Sequence, residues 1–193
     1  MVVVSCATTS TTDESFNKKY QKICLDSSGK GRIEFLINKY PFTYESAVNV
    51  KKNTFDLAFD FPIVGERQMS ISLNPKEAAK LLNHSSVVRM LESSIEDRAD
   101  RENIINAVHE FYVLTSEFVS LKSKNQFSNV YSVEDKNQHF VISRNHGGFV
   151  YEIDAYSPNE IFYERVVMKI SDPKYRQNGP ILSLFLVPES CEK

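Results

Sequence analysis

Apolar and polar residues alternate with a period of two along much of the chain, the pattern of half-buried β-strands. Ile33, Phe35 and Ile37 fall on one face of a first strand, opposite Arg32 and Glu34. Ser27-Ser28-Gly29 reads as a turn ahead of it, and Pro41 as an interruption behind it. Phe42, Tyr44, Val48 and Val50 then alternate with Thr43, Glu45 and Asn49, and Lys51-Lys52-Asn53 makes the next turn. Phe55, Leu57, Phe59 and Phe61 oppose Asp56, Ala58 and Asp60 in the clearest strand of the chain. After a short loop at 62–65, Met69, Ile71 and Leu73 alternate with Gln68, Ser70 and Ser72. Strands that follow one another through short connections predict an antiparallel meander.

The period then changes. Residues 16–25 read as a short helix ahead of the strands, with Phe16, Tyr20, Ile23 and Cys24 near one face. Behind them, Asn74-Pro75-Lys76-Glu77 combines a capping Asn, a Pro at the first helical position and a Glu three residues after the cap. It predicts a helix over 74–83, and a second helical stretch covers 87–95. The longest helix is expected over 99–122, where Ile104, Val108, Phe111, Thr115 and Phe118 recur at helical spacing. That stripe is wide enough to lie across a sheet. Strand patterns return at 130–134, 139–143, 149–156, 161–170 and 181–187, with Asn145-His146-Gly147-Gly148 as a hairpin loop. The predicted class is α+β: a curved antiparallel sheet or half-open β-barrel of about nine strands, with helices inserted between two strand groups.

A length of 193 residues fits one domain, over 13–193, able to bury a full core without a structural metal. The 23 basic and 25 acidic residues give a net charge of −2. This lacks the basic footprint of a nucleic-acid binder. No apolar run reaches the ~20 residues of a membrane-spanning helix.

The cysteines number three, Cys6, Cys24 and Cys191. Val3-Val4-Ser5-Cys6 matches the end of a bacterial lipoprotein signal, with Cys6 as the lipidated residue. The polar stretch of residues 7–12 suits a tether, so residues 1–12 read as signal remnant and tether. A full leader also needs a charged region and ~7–15 apolar residues, so the upstream part lies outside this sequence or the match is chance. With a lipid on Cys6, Ala7 behind it points to the outer membrane. Cys24 and Cys191 then form a candidate disulfide in an oxidising compartment, with separate reduced thiols as the alternative.

Motifs for chemistry are lacking. His84, His109, His139 and His146 are scattered, and His109-Glu110 has no second His at zinc-binding spacing. His139 and His146 flank one hairpin. Asp56 with Asp60, and Glu152 with Asp154, pair carboxylates on one strand face, where outward solvated charge is the simpler reading than glycosidase chemistry. Gly29-Lys30-Gly31 lacks the context of a phosphate-binding loop. No catalytic residue, metal site or cofactor is assigned, and the chain reads as a non-enzyme.

Residues 31–73 resemble the opening of the outer-membrane lipoprotein receptor LolB and, more distantly, its periplasmic partner LolA. The likeness lies in Gly31-Arg32-Ile33, in the aromatic-bearing Phe42-Thr43-Tyr44-Glu45, and in Phe59-Asp60-Phe61-Pro62-Ile63-Val64-Gly65, where a strand ends at a Pro-apolar-Gly loop. The chain departs from that family in having no Trp and in its polar stretch around 92–102. The resemblance implies a half-open barrel that holds acyl chains, with helices as a lid and an apolar loop, here Ile63 and Val64, that meets the membrane or a partner. Ligand-facing positions would be Phe35, Phe42, Tyr44, Phe55, Leu57 and Phe59, then Met69 and Ile71, with Phe111 and Phe118 from the lid. The implied protein is a monomer anchored by lipid on the periplasmic face of the outer membrane. It would bind lipid or lipoprotein acyl chains delivered by a periplasmic carrier protein. The alternatives are a soluble periplasmic or cytoplasmic location, and a protein–protein interaction or assembly module with a filled core.

Overall fold

The computed structural model describes residues 18–24, 27–35, 39–46, 54–61, 65–72, 97–122, 131–136, 139–174 and 179–191. At 35, 39–46, 54–61, 65–72 and 119–122 the description is of the backbone. Cys6, Ile63, Val64, His84 and the helices expected over 74–83 and 87–95 lie outside the described residues.

The protein is α+β, with an antiparallel sheet and one long helix among the described residues. The strands are β1 (Ser27–Phe35), β2 (Lys39–Ser46), β3 (Thr54–Phe61), β4 (Gly65–Ser72), β5 (Ser132–Lys136), β6 (His139–His146), β7 (Phe149–Pro158), β8 (Tyr163–Ser171) and β9 (Leu182–Pro188). The long helix, α1 (Arg98–Lys122), stands between β4 and β5 in the chain. Seven strands form one open sheet in the order β2-β1-β9-β8-β7-β6-β5, and β3 with β4 forms a hairpin. Strands β5 to β9 are a simple meander. The joint is β1 against β9, where Ile33 pairs with Leu184 and Gly31 with Leu186.

Two sequence expectations change here. Ser27-Ser28-Gly29 is not a turn but the start of β1, because its backbone pairs with β2 on one side and, from Gly29 onward, with β9 on the other. Gly29 is suited to that place: a Cβ there would lie 2.2 Å from the Val187 carbonyl oxygen. Pro41 does not interrupt; it sits inside β2 opposite Arg32. That strand is an edge of the seven-stranded ladder, where a residue without an N–H is tolerated.

Helix α1 begins where Asp97 Oδ1 accepts the Asp100 N–H at 2.9 Å, an N-cap one residue before Arg98. Its buried positions run from Leu114 through Phe118, Phe111 and Thr115 to Tyr112 and Ser116. At about 100° per residue, that arc covers roughly 200° of the circumference, more than one flat sheet face hides. Beneath it lie Phe140, Ile142, Tyr151, Ile153, Met168 and Leu184 from the inward face of β6–β9. The helix contacts β7, β8 and β9, and also β4.

The turn at residues 18–21 closes one end of this core. Tyr20 and Ile23 are buried, and the Tyr20 ring meets Phe118 edge-on at 5.8 Å. Lys19 pairs with Asp135 on β5, and Lys22 Nζ donates to the Asn159 carbonyl at 3.0 Å. Cys24 and Cys191 are joined by a disulfide, with Cα atoms 5.9 Å apart across 167 positions of chain.

Candidate functional site

The face of the sheet turned to α1 is built by the even positions of β6 and β8 and the odd positions of β7. In β9, the leucines Leu182, Leu184 and Leu186 point the same way. Around Tyr151 this interface is closed. The Phe111 ring meets Tyr151 at 5.8 Å, and Phe118 meets Tyr131 at 6.4 Å, both edge-on. The expected lid residues Phe111 and Phe118 are therefore packed core, at 2% and 0% exposure. The Tyr151 hydroxyl shares a buried hydrogen bond of 2.9 Å with Thr115 Oγ1. Burial pushes the Tyr151 hydroxyl pKa well above its ordinary value, and burial does the same to Tyr20 and Tyr131.

The inward face of β6 continues past Ile142 to Arg144 and His146, which fasten the helix. Arg144 pairs with Glu117, and His146 Nδ1 lies 2.8 Å from Glu110 Oε2. Glu110 and Glu117, seven residues apart, share one side of α1, as Arg144 and His146, two residues apart, share one face of β6. Among the described residues, one buried hydroxyl in this interface has no partner, that of Ser116.

The expected positions Phe35, Phe42, Tyr44, Phe55, Leu57, Phe59, Met69 and Ile71 are placed by backbone register. Phe55 pairs with Ile71 and Leu57 with Met69, so the apolar positions of the β3–β4 hairpin share a face. In β1 and β2, Gly31 pairs with Phe42 and Gly29 with Tyr44. Gly31 shares the inward face with Ile33 and leaves that inward position without a side chain, whereas at Gly29 the place of a side chain is taken by the Val187 carbonyl of β9.

The opposite face of the sheet is polar. Glu152 and Asp154 both point outward, yet Asp154 is only 2% exposed. It is covered by Lys169, which pairs with it, by His139 Nε2 at 3.3 Å, and by the Tyr156 hydroxyl at 3.2 Å. His139 stacks on Tyr156 with centroids 4.0 Å apart, and the Arg165 guanidinium lies over the same ring at 4.1 Å. Burial, and then the Asp154 charge, raises the Tyr156 pKa. The sequence reading of this carboxylate as solvated is thus overturned by cross-strand neighbours that no local pattern reveals. His139 and His146 do not meet: they stand at opposite ends of β6, roughly 23 Å apart at strand rise.

Among the described residues, no group of three or more His, Cys, Asp and Glu is placed to hold a metal ion. None of their helices is long and apolar enough to cross a membrane. Comparisons with family models, with curated proteins and with solved structures each return no match.

Proposed function

We propose that this chain is a LolB-like, lipid-anchored outer-membrane protein of the periplasm, held by Cys6, that binds an acyl chain between α1 and the β1–β4 half of its sheet. The observation that carries the reading is the side-chain-free inward position Gly31 in β1, the strand between β2 and β9. Around it the arrangement favours a half-open barrel. The helix reaches from β7–β9 to β4, β2 neighbours β3, and the buried arc on α1 exceeds what one flat face covers. An apolar trough needs no catalytic motif, since removing acyl methylenes from water supplies affinity at ~0.8 kcal/mol each. The Cys24–Cys191 disulfide suits an exported protein. Ile63 and Val64 are the loop residues proposed to meet the membrane or a carrier protein.

A second reading is a protein–protein interaction or assembly module. It is favoured by the closed packing of Phe111 and Phe118 and by edge strand β5, whose residues are all exposed. One experiment separates the two. Organic extraction of the purified chain, followed by mass spectrometry, is expected to release acyl lipid from the wild type and much less from Gly31→Leu, whose side chain fills the trough. An absence of lipid from a folded wild type rejects the acyl-binding reading and leaves the interaction module.

A further inference from the structure

Ser116 is fully buried, and its hydroxyl has no hydrogen-bond partner among the described residues. Burying a hydroxyl unpaired costs about 1–3 kcal/mol, so such a group calls for an explanation. Its neighbour Thr115, equally buried, is satisfied by Tyr151 of β7. One residue along the helix rotates the side chain by about 100°, which carries Ser116 past Tyr112 to the far flank of the buried arc. The other flank carries Phe118 against Tyr131, beside β5, and beyond it Glu117 against Arg144 of β6. Passing from those strands through β7 and onward in sheet order leads to β8, β9 and then the glycine-bearing β1. Ser116 therefore lies on the flank of α1 that faces the proposed trough.

We propose that Ser116 is the polar contact of that trough and donates its hydroxyl hydrogen to a carbonyl oxygen at the head of the bound acyl chain. This rests on the acyl-binding reading and adds to it a residue that selects chains by their head group. A neutral hydroxyl suits an ester carbonyl better than a carboxylate, because a buried carboxylate needs compensating charge.

The test uses the full delipidated chain, which has no Trp to interfere with a fluorescent reporter. N-phenyl-1-naphthylamine, which has no carbonyl, reports occupancy of the trough, and monopalmitoylglycerol and palmitate compete with it. The expected result is that Ser116→Ala binds the reporter as the wild type does but loses about five- to tenfold in affinity for monopalmitoylglycerol. Ser116→Thr is expected to keep most of that affinity. The ligand-free Ser116→Ala protein should melt no lower than the wild type, since an unpaired hydroxyl has been removed. Equal affinities for monopalmitoylglycerol, or an equal loss for reporter and ester, overturns the role of Ser116 while the trough stands. A loss confined to palmitate overturns the preference for an ester. If a folded wild type binds neither reporter nor competitor, both the trough and the role of Ser116 are rejected.

Discussion

The buried pair of Thr115 and Tyr151 shows how one hydrogen bond sets unequal consequences for its two partners. Thr115→Ala leaves the Tyr151 hydroxyl buried without its 2.9 Å contact, and is expected to cost about 1–3 kcal/mol. Tyr151→Phe leaves a threonine that can turn its hydroxyl to a carbonyl of its own helix, so the loss should be smaller, about 0.5–1.5 kcal/mol. Urea denaturation of the two variants checks the order, and a costlier Tyr151→Phe would count against it. A similar lesson comes from Asp154. Alternation alone predicted its face correctly, but Lys169, His139 and Tyr156 decide that it is buried there.

At the scale of elements, the decisive contact is β1 against β9, strands from opposite ends of the chain. Gly29 permits it, because any side chain at that position would meet the Val187 carbonyl. Gly29→Ala is expected to push the strand ends apart and to destabilise the protein by about 1–3 kcal/mol, the range of overpacked sites. Amide hydrogen exchange should then rise first along β1 and the end of β9. Unchanged protection there would show that the pairing tolerates a methyl group. The helix–strand clamp of Glu110 and Glu117 with His146 and Arg144 was not legible beforehand. Its partners are 36 and 27 positions apart, and only docking brings that side of the helix to that face of the strand.

Across the whole molecule, the disulfide closes a loop of 167 positions. In the chain-entropy account, a loop of that length contributes about 5 kcal/mol by restricting the unfolded state. The double variant Cys24→Ser/Cys191→Ser is expected to lose most of that amount, and the midpoint of chemical denaturation reads it. The buried tyrosines set a pH dependence as well. Tyr20, Tyr131 and Tyr151 have folded pKa values raised by burial, so they keep their protons while the unfolded chain ionises near its ordinary value of about 10. Their contribution is therefore complete below that pH and is lost as pH rises above it. Stability should fall by roughly 1.4 kcal/mol per pH unit for each such tyrosine. The slope above pH 10 should be shallower in Tyr151→Phe than in the wild type, and equal slopes would contradict the assignment.

Local patterns determined what local forces control. The alternation in 54–61 placed a strand, that in 139–170 placed strands and their inward faces, and the stripe on 99–122 placed a helix within one residue of its start. Both signals arise because side chains repeat every two or about 3.6 residues, whatever the rest of the chain does. Partner choice between distant strands, the burial of Asp154 and the clamp on α1 belong to the tertiary structure. So does the closed packing of Phe111 and Phe118. Each depends on which surfaces meet after the chain has folded back on itself, and residues near one another in sequence carry no record of that meeting. The candidate trough divides in the same way. Its apolar positions on β3 and β4 could be read from the alternation, while the bare inward position at Gly31 gained meaning only when β9 and β2 were found on either side of β1.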